Sequence, residues 1–355
     1  MSAPAQVTLE LTPRARFDVI DVSRLLDRDF GRFLDGCRRV LYCSHHTTAG
    51  YPDQQLAERL GHSRDRLSGF LEPFRSLFPQ GAPYRHDEME LRDELTAEQK
   101  RVEPRNADSH LTFMSAGLHN CVTYDHRPGE PVWFVDLDGV HEHGVRTRRT
   151  TVLGFQRDDV VGVRILEIPV SAHPIDSVNL CAPELGLVDG LQEQIREHGV
   201  ANGRLDLELL DEESHAGLTV NEYETLLMRH DLREVLRDPL RYMAEKGRNL
   251  LRDPRSAAVK TLNYAQYDLV QIYNELMSKV GHGAAYVEEL VARFIAMPTI
   301  RFFGLKRSAS FLVHDGDGRG WGSIVQGTYQ SPILVQWSRC ERGARRVRAT
   351  LSRFE

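Results

Sequence analysis

Three histidines in this 355-residue chain stand in motifs whose residue types suit anion binding or proton transfer. His46 opens HTTAG (46–50), His86 closes YRH (84–86), and His110 lies in NADSHL (106–111). An imidazole ligates divalent metals, donates to anions and exchanges a proton near neutral pH. Because 40 and 24 positions separate the three residues, only tertiary structure can bring them to one site.

We expect these histidines to hold a divalent metal, Zn or Mn, or to bind a phosphate. Each ring then needs a partner for its second nitrogen, and Asp87 and Asp108 are candidates. His45 points to the opposite side of an extended chain from His46, so we assign His46 to the site. No motif predicts a nucleotide cofactor.

A rival histidine pair is His141 and His143, which share one face of a strand. Two ligands do not make a metal site, and the flanking Gly139 and Gly144 favour a solvated hairpin.

Further residues near these motifs are candidate ligands for an anionic substrate. Thr47 and Thr48 offer hydroxyl groups before the permissive backbone of Gly50. Arg146 and Arg148 share a strand face and suit bidentate phosphate binding. Alternatively, the two arginines could keep an exposed strand edge from pairing with the strands of other chains.

Composition and charge limit the function classes. The net charge of -6 and the pI near 6.2 argue against a nucleic-acid binder. Five cysteines without CxxC spacing argue against a disulfide framework and a zinc ribbon, and favour a cytoplasmic setting. No signal peptide and no run of 18 apolar residues are visible, so we expect a soluble protein without a membrane partner.

Two pairs of similar segments indicate an internal repeat. GVRTRRTTVLGF (144–155) resembles GARRVRATLSRF (343–354), and HTTAG resembles ESHAG (213–217). The order of the segments is the same in both halves, which predicts a tandem duplication with domains at 1–158 and 159–355. The extra length of the second copy, at about 240–300, has helical periodicity and reads as an insertion.

Local patterns predict the elements around these motifs. Leu67, Phe70, Leu71 and Phe74 have helical spacing after a possible N-cap at Ser63. Alternation over 347–352 predicts a half-buried strand, and SPILVQWSR (331–339) is expected to pair beside it.

The motifs of the first half, in their order, resemble the secondary thiamine-phosphate synthase family, also called YjbQ-like. In the second half, the segment 187–222, which ends in Asn221 and Glu222, and GTYQSPILVQW (327–337) also resemble that family. The resemblance implies an α+β fold of two tandem YjbQ-like domains, with β-sheets packed on helices. It also implies a trimer with small-molecule sites near subunit contacts, and an activity that joins a pyrimidine pyrophosphate to a thiazole alcohol phosphate with displacement of pyrophosphate.

Departures from the family pattern are complementary between the halves. The first half keeps the histidines but has AGYPDQQ in place of an Asn-Glu pair, and the second keeps Asn221, Glu222 and the GTYQ strand with Gln330. We therefore expect one composite site, in which the three histidines face these three residues.

In this composite site Glu222, His46 and His110 are the candidate catalytic residues, for general acid and base work. The candidate substrate ligands are Thr47, Thr48, Asn106, Asn221, Arg146, Arg148 and Gln330. The expected function is that of a transferase or lyase-like enzyme acting on a small phosphorylated or otherwise anionic metabolite. The alternative is a binding protein that kept the pocket and lost turnover.

Overall fold

The computed structural model describes residues 4–142, 144–237 and 305–355. The predicted helical insertion at about 240–300 and His143 of the rival histidine pair lie outside these residues. Below, residues 4–155 are called the N-terminal part and the described residues from 158 onward the C-terminal part.

The N-terminal part is mixed in secondary structure. Its strands are β1 (Ala5–Leu11), β2 (Asp18–Asp21), β3 (Arg39–Ser44), β4 (Ala49–Gly50), β5 (Cys121–Asp125), β6 (Trp133–Asp136), β7 (Val140–His141), β8 (Gly144–Val145) and β9 (Arg148–Phe155). Its α-helices are α1 (Val22–Phe30), α2 (Gln54–Arg59), α3 (Arg64–Leu77), α4 (Ala97–Val102) and α5 (Ala107–Ser115). Within the described residues of the N-terminal part, a 3-10 turn covers Met89–Leu91.

The C-terminal part has longer strands. They are β10 (Asp158–Pro169), β11 (Asp176–Asn179), β12 (Asn202–Leu209), β13 (Ala216–Asn221), β14 (Ser308–His314), β15 (Ser323–Ile324), β16 (Ser331–Gln336) and β17 (Ala344–Phe354). Its α-helices are α6 (Leu187–Glu197) and α7 (Leu232–Arg237). A 3-10 turn at Pro183–Leu185 precedes α6, and a π-helical turn at Leu227–Asp231 leads into α7.

The strands of each part pair only within that part, as far as the described residues go. The N-terminal part forms a four-stranded sheet, β1-β9-β3-β5, a three-stranded sheet, β2-β6-β4, and the short pair β7-β8. The C-terminal part forms a five-stranded sheet, β10-β17-β12-β14-β15, and a three-stranded sheet, β11-β16-β13. The paired strands are antiparallel, and the fold is α+β.

The order of the strands repeats between the two parts. In the larger sheets, β10, β17, β12 and β14 take the positions of β1, β9, β3 and β5. In the smaller sheets, β11, β16 and β13 take those of β2, β6 and β4. The Ala-Gly pairs of the two similar motifs begin β4 and β13, which hold matching positions.

Two local predictions are confirmed. Ser63 caps α3, because its Oγ accepts a hydrogen bond from the Arg66 backbone N–H at 3.3 Å. In β17, Val347, Ala349 and Leu351 are fully buried in alternation with less buried residues, as expected for a half-buried strand.

The predicted pairing of the 331–339 segment with the following strand is wrong. β16 pairs with β11 and β13, whereas β17 pairs with β10 and β12. Five consecutive residues of β16, Pro332–Gln336, are buried, which is typical of a central strand covered on both faces. β16 therefore belongs to the small sheet, and the chain crosses to the larger sheet before β17.

The largest hydrophobic cluster joins the two parts. It contains Leu111 and Met114 of α5 together with Leu227 and Leu232 next to α7. Burial of this shared apolar surface stabilises the contact along which the predicted site residues lie. None of the helices in the described ranges is long and apolar enough to cross a membrane.

Candidate functional site

Two of the three predicted histidines lie side by side in the interior. His86, in the loop between α3 and α4, and His110, in α5, are both fully buried. Their ring centroids are 5.3 Å apart and their planes cross at 76°. The Asp231 carboxylate in the C-terminal part accepts the backbone N–H groups of Arg85 and His86 at 2.9 Å, which holds the loop of His86 in place.

Hydrogen-bond acceptors lie at both ring nitrogens of His86. Nδ1 is 3.1 Å from Glu224 Oε2, and Nε2 is 3.2 Å from Asn106 Oδ1. The Asn106 amide is oriented by its Nδ2, which donates to Asp138 Oδ2 at 2.9 Å. Burial alone lowers the pKa of His86, but the Glu224 hydrogen bond and the charge of Glu222 outweigh it, so the net shift is upward. Two acceptors and a raised pKa favour the imidazolium form.

His110, in contrast to His86, favours the neutral form of its ring. Its Nδ1 donates to Asn221 Oδ1 at 2.6 Å, and the same oxygen accepts the Glu222 backbone N–H at 2.7 Å. Burial and the neighbouring His86 cation lower the pKa of His110 to about 3. The ring is therefore neutral with its proton on Nδ1, and Nε2 carries the lone pair.

The free nitrogen of His110 faces a carboxylate of the C-terminal part. His110 Nε2 is shielded from solvent, has no hydrogen-bond partner in the described structure, and lies 3.5 Å from Glu222 Oε2. The other oxygen of Glu222 accepts from the buried Arg92 guanidinium at 3.1 Å. Two proton acceptors thus face each other without a proton between them, and a proton-donating ligand group would satisfy both.

Charged residues surround this pair. Arg146 donates to Asp138 Oδ2 at 2.6 Å, and Arg16 reaches Asp138 Oδ1 at 3.2 Å. Arg146 keeps 31% of its side chain exposed, so its guanidinium is the accessible cation of this group. Burial and the charge of Glu222 raise the pKa of Glu103, which lies 3.9 Å from Arg92.

His46 is placed differently from the other two histidines. Its Nε2 accepts the Arg149 backbone N–H at 2.7 Å, and burial with the charges of Arg148 and Arg146 lowers its pKa to about 3. Its carbonyl oxygen accepts from Gln330 Nε2 at 2.9 Å, and Gln330 also donates to the Ser44 carbonyl at 2.9 Å. His46 therefore serves the contact between the two parts through its backbone.

The two predicted threonine ligands differ in which of their atoms make contacts: Thr47 uses its backbone carbonyl and Thr48 its hydroxyl. The Thr47 carbonyl lies 3.4 Å from Asn221 Nδ2, a contact that helps to orient the Asn221 amide. The Thr48 Oγ1 lies 3.4 Å from the Arg148 guanidinium, and Thr48 is buried.

Arg148 is not available to a ligand in this arrangement. Its Nε and one terminal nitrogen each donate to an oxygen of the Asp136 carboxylate at 2.7 Å, and the terminal nitrogen also donates to the Asp138 carbonyl at 2.8 Å. Both side chains are buried. This buried pair fixes the loop that carries Asp138, whereas Arg146 is left at the surface.

The geometry does not fit the predicted three-histidine metal site. In the described ranges no group of three or more His, Cys, Asp or Glu side chains is placed to hold a metal ion. Both ring nitrogens of His86 face hydrogen-bond acceptors, and His46 Nε2 accepts a backbone N–H. Asp87 and Asp108, the expected second partners, contact the Ala107 backbone N–H and Arg16 respectively. Metal binding stays a prediction.

The motifs in the sequence did not single out several side chains that contact the site histidines or their partners. Arg92, Asp138, Glu224 and Asp231 lie outside the quoted histidine motifs, and Arg16 precedes β2. Glu224 stands two residues after the predicted Glu222. For the others, the contacts that place them at the site span 8 to 146 positions of the chain, although Arg92 also binds its near neighbour Glu94.

Comparisons with known proteins find solved structures to which this chain is similar. A YbjQ-like protein of unknown function from Sulfolobus solfataricus P2 matches with 16% identity and a TM-score of 0.29, over 56% of this chain and 99% of that one. A hypothetical protein from Aeropyrum pernix K1 matches with 16% identity and a TM-score of 0.29, over 55% of this chain and 100% of that one. An uncharacterized conserved protein of the YjbQ/UPF0047 family from Clostridium acetobutylicum matches with 14% identity and a TM-score of 0.25, over 54% and 99%. No family model and no curated protein matches the chain.

Proposed function

We propose that the chain is an enzyme that acts on a small phosphorylated or otherwise anionic metabolite at one composite site between its two parts. The main observation behind this proposal is a close contact between the two parts. His110 Nε2 is buried, has no hydrogen-bond partner in the described structure and lies 3.5 Å from Glu222 Oε2. One member comes from the N-terminal part and the other from the C-terminal part.

His110 is the general base in this proposal. The Nδ1–H bond to Asn221 holds the lone pair on Nε2, and the Glu222 backbone N–H holds the Asn221 amide in the required orientation. A substrate hydroxyl or other acidic group that enters beside Nε2, with Glu222 moving back from its 3.5 Å contact, would donate a hydrogen bond to the imidazole. The proton transfers to Nε2 when the charge that develops on the substrate raises the pKa of His110 from about 3. General base catalysis of this kind contributes about 10²- to 10⁴-fold to a rate.

In this proposal the partly exposed cation of Arg146 binds an anionic substrate. Arg146 is partly exposed beside Asp138, and the His86 imidazolium lies behind His110. We assign Arg146 to the substrate's phosphate or carboxylate and His86 to electrostatic stabilisation of charge that develops near the pair. Asn106 holds His86, and Asn221 and Gln330 hold the site together rather than contact the substrate.

We further propose that the chain arose by tandem duplication of a YjbQ-like domain, with domains at 1–158 and 159–355. The repeated strand order of the larger and smaller sheets supports this origin, as do the matched positions of the two Ala-Gly pairs. Glu213, at the position corresponding to His46, is fully buried and binds Arg345 at 3.2 Å, so the second copy has replaced the histidine with a structural ion pair.

The reaction class that we propose is displacement of pyrophosphate from an activated substrate, as in the family that the motifs resemble. The test is an assay of pyrophosphate release from a pyrimidine pyrophosphate in the presence of a thiazole alcohol phosphate, with binding of inorganic pyrophosphate measured by calorimetry in parallel. His110→Gln removes the base, and His126→Gln, outside the contacts described for the site, is the matched control.

The proposal expects His110→Gln to reduce turnover about 100-fold or more while His126→Gln leaves it unchanged. Pyrophosphate binding with no turnover in the wild type would favour the binding-protein alternative. If the wild type neither binds pyrophosphate nor releases it, the proposed substrate class is wrong.

A double-mutant cycle between His110→Gln and Glu222→Gln tests whether these two residues act on the same ligand. Two residues that contact one ligand group have effects that are not additive, with a coupling energy of about 0.5–3 kcal/mol. Strictly additive effects on pyrophosphate affinity would argue against a shared site.

The trimer implied by the resemblance and the divalent metal also remain proposals. Light scattering of the purified chain gives the number of subunits, and elemental analysis for Zn and Mn beside His110→Gln tests the metal.

A further inference from the structure

A small cavity lies between the two parts and is lined by residues of both. Its volume is about 20 Å³, enough for one water-sized molecule. The N-terminal part supplies His119 and Asn120 to its lining, and the C-terminal part supplies Thr219, Lys306 and Ser310.

The amine of Lys306 is unusual in having no hydrogen-bond partner within the described structure, although Nζ is shielded from solvent. Burial lowers the pKa of Lys306 well below its usual value, against the opposing charge of Asp53. Burial and the nearby Lys306 likewise hold the pKa of His119 well below its usual value. Burial therefore favours the uncharged forms of the Lys306 amine and the His119 imidazole in this cavity.

The choice of lysine at this position is chemically significant. The chain has 40 arginines and only five lysines. An arginine would stay charged when buried, whereas a lysine can release its proton and expose a nucleophilic lone pair. A buried lysine without a partner gives no ion pair or hydrogen bond in return for its desolvation, so a structural role does not account for it.

We propose that Lys306 is a second reactive site, at which its amine combines reversibly with carbon dioxide to form a carbamate. The lone pair of Nζ attacks the carbon, an N–C bond forms, and the electron pair of one C–O π bond moves to oxygen. The surplus proton leaves Nζ for the His119 imidazole. Lysine and carbon dioxide thus give a carbamate anion and an imidazolium, with atoms and charge balanced.

The cavity suits this product in polarity. A space of about 20 Å³ holds about one water-sized molecule, so carbon dioxide enters when the lining side chains shift slightly. The Thr219 hydroxyl and the second N–H of the Asn120 amide, whose first binds the His46 carbonyl, can donate hydrogen bonds to the carbamate oxygens. Ser310 donates its hydroxyl proton to Asp206 Oδ1 at 2.6 Å, and protonated His119 would balance the charge of the carbamate.

The test uses the wild-type chain equilibrated with ¹³C-labelled bicarbonate at pH 7.5. Carbamates are trapped as esters with a trialkyloxonium reagent, and the modified lysines are identified by peptide mass spectrometry. We expect labelling at Lys306 to exceed that at Lys100, on α4, by about tenfold or more, because each unit of pKa changes the neutral amine fraction tenfold. Equal labelling of both lysines, or none at Lys306, overturns the proposal.

Two variants sharpen the result. Lys306→Met should abolish the label at this position, and since the amine has no partner in the described structure, its removal leaves no polar group unpaired. Thr219→Val should lower the occupancy several-fold if the hydroxyl binds the carbamate. If the trapped fraction in Thr219→Val equals that of the wild type, the carbamate does not lie in this cavity.

Discussion

His86 and His110 lie with ring centroids 5.3 Å apart and differ in protonation, because each faces different partners. His86 is hydrogen-bonded to Glu224 and Asn106, and its pKa is raised. His110 is bonded to Asn221, and its pKa is lowered to about 3. The pair therefore combines an imidazole that binds a proton more readily than usual with one that binds it less readily.

The protonation of this pair can be observed directly. At pH 7 we expect ¹⁵N NMR to show His86 with protons on both ring nitrogens and His110 with a proton on Nδ1 alone. His110 should stay in that tautomer down to about pH 4, because its pKa is about 3. An Nε2–H tautomer of His110 at neutral pH would remove the proposed base.

Replacing Glu224 by Gln should destabilise the fold in a pH-dependent way. The pKa of His86 is raised from 6.5. Its contribution to the free energy of unfolding is therefore complete below pH 6.5 and is lost as the pH rises through the raised value. The pKa of Glu224 is lowered from 4.5, so its contribution is complete above pH 4.5 and is lost on acidification. We expect a loss of about 1–3 kcal/mol that is largest between these two values.

Urea unfolding at pH 5.5 and pH 9 measures this effect. The matched control is Glu193→Gln, which breaks an exposed pair with Arg196 on α6 and should change the free energy of unfolding by less than about 1 kcal/mol. An equal loss at both pH values for Glu224→Gln would mean that the ion pair with His86 does not contribute.

Two neighbouring arginines should give opposite phenotypes. Arg148→Met leaves the buried Asp136 carboxylate without its partner and should cost about 3–5 kcal/mol of stability. Arg146→Met removes a partly exposed cation while Asp138 keeps Arg16, and should cost about 1 kcal/mol or less but weaken pyrophosphate binding about tenfold. Thermal unfolding and calorimetry of both variants separate the two roles. Similar stability losses would contradict this assignment.

The contact between the two parts should be sensitive to one methyl group. A Cβ at Gly327 would lie 1.9 Å from the His45 carbonyl oxygen, which is backbone and cannot rotate away. We expect Gly327→Ala to cost about 1–3 kcal/mol and to reduce pyrophosphate affinity, because Gln330 next to it holds the His46 carbonyl.

Gly69→Ala on α3 is the matched control, since a Cβ there meets nothing within 4 Å. Alanine also favours the helix, so this variant should be at least as stable as the wild type. A Gly327→Ala protein as stable as Gly69→Ala would show that the two parts can move apart to accept the methyl group.

Part of the fold and of the site could be predicted from the sequence, because the relevant information is local. Periodicity identified β17 and the helix that Ser63 caps, and the resemblance of the 187–222 segment to the YjbQ-like family named Asn221, which meets His110 across the two parts. Burial of every residue from Pro332 to Gln336 hides the alternation that would have placed β16.

The rest could not be predicted, because it depends on partners that are distant in the chain. His46 and Arg148 were selected for the chemistry of their side chains, which the fold uses for a backbone N–H and for Asp136. Nothing around Asp231 or Arg92 in the sequence indicates that they face His86 and Glu222. A residue's type shows which bonds it can make, and the three-dimensional structure decides which bonds it makes.

The hydrogen bond from the Gln330 amide limits when the two parts can join during synthesis of the chain. The amide bonds the carbonyl of His46 across 284 positions, so the contact forms only after nearly the whole chain has been synthesised. On the ribosome, the histidine motifs emerge long before Asn221 and Glu222, and the Gln330 bond forms only when residue 330 leaves the exit tunnel. The partners that set the protonation of His86 and His110 all precede residue 225, so a nascent chain can hold both histidines in place before Gln330 joins the two parts.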